Sequence, residues 1–308
     1  MTTALYTHDL FVEHLTPPGH PERPERLRAI AEALSSEEFN ALDRREAPLA
    51  DVSTFSYAHP QGFVDMLEAA VPSDGINRLD GETSMSPKSW ECVTRAVGAA
   101  NAAVDAVFNK DADNCFVAAR PPGHHAEKTT AMGFCLLNNV AIAARHAQKA
   151  HGAERVAIID WDVHHGNGTQ DIFWDDESVL YASTHQMPLF PGTGAKSEEG
   201  VGNIFNAPLS VDSGGDLFRE AFKDRILPAV SDFQPDLILI SAGFDAHYRD
   251  PLAQINLVED DFSWATARIM ELSQRYCDGR LVSLLEGGYD LVGLAQSTSA
   301  HVKRLMTG

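Results

Sequence analysis

The chain has 308 residues, 44% of them apolar, which is enough to bury a sizeable core in one large α/β domain or two smaller ones. Its formal net charge of −20 argues against a nucleic-acid partner, because phosphate affinity comes from clustered lysine and arginine. There is no apolar run of membrane-spanning length and no signal-peptide pattern, so no membrane partner is expected. The four cysteines lack paired spacing, which indicates reduced thiols and a cytoplasmic location.

Strand-like and helix-like segments alternate along the chain, without a repeat or linker between them. Strands are predicted at Ala4–Tyr6, Cys115–Ala119, Val156–Ile159, Val179–Ser183, Leu237–Ser241 and Leu281–Leu285. Helices are predicted within His20–Leu34, Gln61–Ala70, Ser89–Phe108, Asn138–Ala150, 215–232 and Asp261–Tyr276, and at the end of the chain. This alternation predicts an α/β fold, a mostly parallel sheet with helices on both faces, and a single domain over residues 1–308.

Polar clusters directly follow four of the predicted strands. The clusters are RPPGHH (Arg120–His125), DWDVHHGNG (Asp160–Gly168), GFDAH (Gly243–His247) and EGGY (Glu286–Tyr289). Ligands of open parallel sheets bind beyond the carboxyl ends of the strands. We therefore expect the four segments to converge on one rim and to form an active site there.

Two aspartates and one histidine are candidate ligands of a divalent metal ion. Asp160, Asp162 and His164 alternate in an extended stretch and so point the same way, and Asp245 ends another strand. Buried charges need compensation, which a metal ion would provide. Three ligands, Asp162, His164 and Asp245, would leave coordination positions of the ion open for water and substrate. This nitrogen and oxygen set fits one Zn²⁺ per chain, with Fe²⁺ as the alternative. Without an ion, the aspartates would be caps or turn formers.

Two adjacent histidines and a tyrosine are candidates for acid–base chemistry. His124 and His125 follow a rigid Pro-Pro-Gly turn, and such a pair can exchange protons with a metal-bound water. Asp160 and Asn167 would fix the ring tautomers by hydrogen bonds. Tyr289 follows two glycines, where a phenol can approach an oxyanion. Each feature also has a simpler explanation, an exposed loop for the histidines and aromatic packing for the tyrosine.

Five ordered motifs resemble those of the zinc-dependent histone deacetylase family. They are RPPGHH, Gly133–Cys135 with Asn138 and Asn139, DWDVHHGNGT (Asp160–Thr169), SAGFD (Ser241–Asp245) and EGGY. The match extends from HPERPERL near residue 20 to the last strand, and it is closest to class II members and bacterial deacetylase-like amidohydrolases. Class I members carry Asp where this chain has Asn167. The resemblance implies the arginase/deacetylase fold, with about eight parallel strands between helical layers.

The resemblance also implies residue roles. The zinc ligands would be Asp162, His164 and Asp245. The catalytic residues would be His125 as general base and acid, His124 as its electrostatic partner and Tyr289 as the oxyanion donor. The acyl-lysine tunnel would be lined by Gly133, Phe134 and Phe190. A structural K⁺ would be bound by the segment containing Asp160, Asp162 and His164 together with Ser183 and Thr184. A second monovalent site near Phe173 and Val179 is in doubt because Asp176 replaces an uncharged residue there.

These features predict a deacetylase that cleaves an N-acyl amine of the acetyl-lysine type, presented on a peptide or a small molecule, into a short acid and a free amine. Acetylated polyamines and other small amides remain open as substrates. Leu252 lies where a polyamine-selective relative would have an acidic gatekeeper, which favours acyl-lysine or a broad amide range. Glu82 would be a rim carboxylate that meets a cationic substrate. The sequence does not define an oligomeric state.

Two competing functions fit the sequence less well. Arginase relatives share the fold but bind two manganese ions, and the additional carboxylates that they need are replaced here by Gly166 and His247. A non-catalytic acyl-binding module has no need for the complete set of reactive side chains described above.

Overall fold

The computed structural model describes residues 1–308 and is built on one large parallel sheet. Its strands are β1 (Thr3–Thr7), β2 (Asp43–Glu46), β3 (Asn77–Arg78), β4 (Ser84–Met85), β5 (Asn114–Val117), β6 (Val156–Asp160), β7 (Val179–Gln186), β8 (Ile204–Leu209), β9 (Leu237–Ala242) and β10 (Leu281–Leu285). β3 and β4 form a separate antiparallel pair. The other eight strands lie in the order β2-β1-β5-β10-β9-β6-β7-β8, and every pairing between them is parallel.

Helices connect the strands and pack on the sheet. They are α1 (Glu25–Ala33), α2 (Gln61–Ala69), α3 (Ser89–Phe108), α4 (Asn139–His151), α5 (Asn167–Phe173), α6 (Gly215–Ala221), α7 (Leu227–Phe233), α8 (Glu259–Tyr276) and α9 (Leu291–Thr307). A short π-helical segment, Phe222–Ile226, joins α6 to α7, and short 3₁₀ segments lie at Asp9–Glu13, Glu37–Phe39 and Val52–Tyr57. No helix combines the length and apolar character needed to cross a membrane.

The predicted α/β architecture is confirmed, and the two strands of the large sheet that the sequence did not predict, β2 and β8, are its edges. β5, β6, β9 and β10 are buried throughout, which explains their continuous apolar sequences. β2 reads DRRE and alternates between partly buried and exposed residues, while β8 contains Asn206 and Pro208. Charged residues and proline are typical of edge strands, so the apolar pattern that reveals a central strand is absent from both.

The register of the sheet aligns the ends of neighbouring strands. Asp160 at the end of β6 pairs with Ser183 on β7 and with Ser241 on β9. β6 and β9 therefore end at nearly the same level, whereas β7 continues to Gln186. Ligands of open parallel sheets bind beyond such strand ends.

A buried ionic cluster lies behind this rim. The carboxylate of Glu22 accepts hydrogen bonds from Arg120 and from Arg26, and all three side chains are inaccessible to solvent. The two guanidinium groups hold the pKa of Glu22 below its ordinary value, although burial alone would raise it. The cluster joins the segment before α1 to the segment that follows β5.

Glu22→Ala should destabilise the protein strongly, by about 3–5 kcal/mol, because it leaves two buried guanidinium groups without their counterion. Glu25→Ala is the matched control, since Glu25 forms an exposed pair with Arg28 and its loss should cost less than about 1 kcal/mol. Equilibrium denaturation with urea measures both differences in the free energy of unfolding. Equal, small effects of the two substitutions would contradict the assigned importance of the buried cluster.

Candidate metal centre and active site

A cavity of about 330 Å³ opens at the rim that the strand ends define. Its lining residues are His20, Pro21, Gly81, Glu82, His125, Gly133, Phe134, His164, Leu189, Phe190, Leu252 and Tyr289. Gly133, Phe134 and Phe190, predicted for the substrate tunnel, belong to this lining, and so does Leu252, which was predicted at the same tunnel. The side chain of Glu82 lies there as well, as the rim prediction requires.

The three predicted metal ligands meet beside this cavity, and His164 is the one of them that lines it. One ligand atom each from Asp162, His164 and Asp245 lies within 4.8 Å of the others, and all three residues are buried. His164 Nδ1 is 3.2 Å from Asp162 Oδ1 and 3.2 Å from Asp245 Oδ2. A single ion could therefore contact two carboxylates and one imidazole from two neighbouring strand ends.

Backbone groups hold the two carboxylates in place. Gly287 N donates to Asp162 Oδ2 (2.7 Å), and Val163 N donates to Asp245 Oδ1 (2.9 Å). A Cβ atom at Gly287 would overlap the carboxylates of both aspartates, so glycine is required for this close approach. The EGGY segment thus packs against the cluster of predicted metal ligands on the side opposite to β6.

The charges of this cluster fit a divalent cation. Burial, together with the neighbouring Asp162, raises the pKa of Asp245 to about 7. Burial opposes protonation of His164, but its hydrogen bonds to Asp162 and Asp245 raise the pKa of the imidazole to about 10. The cluster therefore attracts positive charge, either as a proton on His164 or as an ion that binds the neutral ring.

The two adjacent histidines have opposite protonation preferences. His124 Nδ1 lies 3.0 Å from Asp160 Oδ2, and although burial opposes the charge, Asp162 and Asp160 raise the pKa of this ring to about 10. His125 is also buried, and burial together with the positive His124 and His164 holds its pKa well below the ordinary value. A cationic ring and a neutral ring consequently lie side by side, with centroids 4.0 Å apart.

Asn167 fixes the tautomer of the neutral ring. Its Oδ1 accepts a hydrogen bond from His125 Nδ1 (2.8 Å), and its Nδ2 donates to Glu127 Oε1 (2.8 Å). The bond to Glu127 sets which end of the amide faces the imidazole. His125 therefore keeps its proton on Nδ1 and has a free lone pair on Nε2.

Aromatic rings form the walls of the cavity. Phe134 lies edge-on to Tyr289 with ring centroids 5.8 Å apart, and Phe190 lies edge-on to His125 at 5.1 Å. Phe190 is 38% exposed, which places it near the mouth. Gly133 and Phe134 both have positive φ, and a Cβ atom at Gly133 would overlap the ring of His125.

Comparison with known proteins gives this arrangement a family. Residues 20–305 match the family model of the histone deacetylase domain. The chain belongs to the histone deacetylase family. It is 43% identical to an uncharacterized protein of Synechocystis over 99% of this chain and all of that protein. It is 40% identical to the histone deacetylase-like amidohydrolase of Pseudomonas aeruginosa, over 88% of this chain and 73% of that protein.

A solved structure gives the same result for the fold. The crystal structure of the HDA15 HD domain matches with a TM-score of 0.94 and 36% identity, over 99% of this chain and 88% of that one. The predicted arginase/deacetylase fold and the predicted family are thus confirmed. The family is one of deacetylases and amidohydrolases, so the chain belongs to a family of enzymes.

The residues predicted to bind K⁺ lie at the carboxyl end of β6 and on the neighbouring part of β7. Asp160 pairs with Ser183 in the strand register, and Thr184 follows directly. Ser183 Oγ is bonded to His185 Nδ1 (2.8 Å), whereas Thr184 Oγ1 is buried and has no hydrogen-bond partner. A buried hydroxyl without a partner is compatible with the predicted place of Thr184 in the K⁺ ligand set.

The location of the doubtful second monovalent site contains a side-chain amide. Asn203 Nδ2 donates towards the carbonyl oxygens of Phe173 (2.8 Å), Asp176 (2.9 Å) and Val179 (2.8 Å). The carboxylate of Asp176 pairs with Arg145 instead. The two amide hydrogens of Asn203 can serve two of these three carbonyl groups at a time, and the second monovalent site stays in doubt.

Two carboxylates that the sequence analysis left without a role hold the site together. Glu286 Oε2 accepts from Gly123 N (2.7 Å) and His124 N (3.2 Å). Asp250 Oδ2 accepts from Tyr289 N (2.7 Å). Glu286 could have been found, because it ends a buried strand as Asp160 does. Asp250 has no comparable signal, since Asp-Pro is common in ordinary turns.

Asn167→Asp should move the acidic limb of the pH profile of kcat/KM to higher pH. A carboxylate at Nδ1 favours the protonated form of His125 and raises its pKa, and only the neutral ring can act as a base. Rates on an acetylated substrate across the pH range measure the shift. Asn40→Asp is the control, because it adds the same charge at an exposed position outside the cavity and should leave the profile unchanged. An unshifted limb in an active Asn167→Asp protein would contradict the role of His125.

Proposed function

We propose that the chain is a zinc-dependent deacetylase that hydrolyses the amide of acetyl-lysine-type N-acyl amines to a short carboxylic acid and a free amine. The single observation that best supports this reaction is the composition of the cavity. A channel with aromatic walls is bordered by a neutral histidine, a tyrosine and His164, and His164 belongs to a buried cluster of two carboxylates and one imidazole. A substrate amide at the inner end of the channel would meet all of them.

Asp162, His164 and Asp245 would hold the ion, with Fe²⁺ as the alternative to Zn²⁺. When bound, the ion would supply Lewis acidity, which polarises the amide carbonyl and makes a water molecule more acidic. Asp162 and His164, which follow β6, would thus be ligands, whereas Asp160 forms a hydrogen bond with His124. Thr184, Ser183 and the Asp160 segment would hold a structural K⁺.

The two histidines would divide the proton transfers. His125 accepts a proton from the attacking water at Nε2, because its Nδ1 proton is committed to Asn167. His124 stays protonated beside Asp160 and stabilises the negative charge that develops on the substrate. His125 then returns the proton from Nε2 to the departing amine nitrogen, so the amine leaves neutral.

Tyr289 would donate a hydrogen bond to the oxyanion of the tetrahedral intermediate. Burial keeps the pKa of its hydroxyl well above the ordinary value, despite the neighbouring Arg26, so the phenol retains its proton. The Arg26 guanidinium lies 5.0 Å from the centre of the ring, and Asp250 binds the tyrosine backbone N–H. The hydroxyl is therefore held in position before the substrate arrives.

Tyr289→Phe should lower turnover on an acetyl-lysine substrate by about 10²–10³, because the oxyanion loses one preorganised donor. Zinc content should stay at the wild-type level, since the hydroxyl is not a proposed ligand, and elemental analysis measures it. A chelator should abolish wild-type activity, and added Zn²⁺ should restore it. Near-normal turnover of the variant would remove Tyr289 from the mechanism, and activity that survives metal removal would reject the zinc-dependent reaction.

The walls of the channel favour acyl-lysine over acetylpolyamines. Phe134 and Phe190 would flank an aliphatic side chain, and apolar Leu252 lines the cavity where a charge would attract a second amine. Wild-type protein should therefore turn over an acetyl-lysine peptide faster than acetylputrescine. Leu252→Glu should improve the relative rate on acetylputrescine, whereas Leu252→Gln, with the same length but no charge, should not. A wild-type preference for acetylputrescine would favour the alternative, an acetylpolyamine amidohydrolase.

The proposal treats residues 1–308 as one catalytic domain, because the family match covers residues 20–305 and strands from both ends join one sheet. All four cysteines are free and buried, which supports a reducing, cytoplasmic location.

A further inference from the structure

A second group of metal-binding side chains lies outside the cavity. Asp105 on α3 and His146 and His151 on α4 each offer one ligand atom within 4.8 Å of the other two. His146 Nε2 and His151 Nε2 both lie 2.7 Å from the same oxygen, Asp105 Oδ1. The two imidazoles therefore converge on one point between the helices.

This cluster is far from the catalytic rim. α3 leads into β5 and α4 leads into β6, so the carboxyl ends of both helices lie at the amino edge of the sheet. The catalytic residues lie at the opposite edge. The partial negative charge at helix carboxyl ends favours a cation at this location, and it adds to the charge of Asp105.

Packing fixes the ligands before any ion binds. The ring of His151 stacks on Phe108 with centroids 4.5 Å apart and 9° between planes. The side chains of His146 and His151 are 16% and 17% exposed, and that of Asp105 is 44% exposed. The imidazoles are thus held by their surroundings, while water can still reach the carboxylate and complete a coordination shell.

The ligand atoms of these three residues determine which metal ions they can bind. An imidazole that carries its proton on Nδ1 offers the lone pair of Nε2 to a metal, and both Nε2 atoms face the same point beside Asp105. Two nitrogens and one oxygen suit Zn²⁺, Ni²⁺ or Cu²⁺ and do not suit Mg²⁺ or Ca²⁺, which prefer oxygen ligands.

We propose that Asp105, His146 and His151 form a second site for a divalent transition-metal ion, separate from the catalytic centre, which clamps α3 to α4. An ion there replaces two hydrogen bonds between the helices with coordination bonds. Because the ion binds only the folded arrangement, it stabilises the protein without touching the substrate.

Metal content after dialysis against buffered micromolar Zn²⁺ tests the site directly. Wild-type protein should hold about one ion more per chain than His146→Gln or Asp105→Asn, and the variants should bind that ion at least about tenfold more weakly. Glu154→Gln is the matched control, since it removes a nearby exposed carboxylate that is outside the cluster and should keep the full metal content. Deacetylase activity should be the same in all three variants, which verifies that they fold.

The catalytic-site variant Asp245→Asn separates this site from the proposed reaction. Added Zn²⁺ should still raise its melting temperature, and the further change His146→Gln should remove that increase. If wild-type protein and His146→Gln bind the same amount of zinc, or if zinc raises the melting temperature of both equally, the cluster is a hydrogen-bonded contact between helices and the proposal is wrong.

Discussion

The site depends on the cost of burying four carboxylates at the end of one sheet. Asp160, Asp162, Asp245 and Glu286 are all buried, and an uncompensated charge there would cost a large part of the net stability of a domain. Each one accepts hydrogen bonds from backbone N–H groups, hydroxyls or imidazoles. Part of the glycine in the segments after the strands follows from this requirement, because a Cβ atom at Gly166, Gly243 or Gly287 would overlap the oxygen atoms of these carboxylates.

The need to compensate buried charges also explains why the two adjacent histidines differ in pKa. His124 and His125 are equally buried, so burial alone would keep both rings neutral. The partner of His124 is the Asp160 carboxylate, and the partner of His125 is the amide of Asn167. Asp162 and Asp160 raise the pKa of His124 to about 10, whereas the positive His124 and His164 add to the effect of burial and hold the pKa of His125 well below its ordinary value. The protein thus obtains a fixed cation and a free base from two residues of the same type.

The sequence predicted those parts of the site that follow from local periodicity. A two-residue period places Asp162 and His164 on one face of a strand end, and the continuous apolar runs reveal the central strands. The sequence alone could not show that β9 lies beside β6, which is what brings Asp245 to the cluster. Asp245 was nevertheless predicted as a ligand because it ends another buried strand, and the family resemblance implied the same role. The edge strands and Asp250 were missed, because long-range backbone contacts leave no pattern in a single sequence.

The amino-terminal segment forms part of the cavity wall and also supports the residues behind that wall. His20 packs edge-on against Phe134 at the cavity wall, with ring centroids 4.6 Å apart. Six residues later, Arg26 Nε donates to the carbonyl of Gly288 (2.7 Å), and its guanidinium faces the ring of Tyr289. Glu22 neutralises this arginine, so the cation can be buried behind the tyrosine. The ionic cluster therefore positions Tyr289, the proposed oxyanion donor, and anchors the wall of the cavity through the same short stretch of chain.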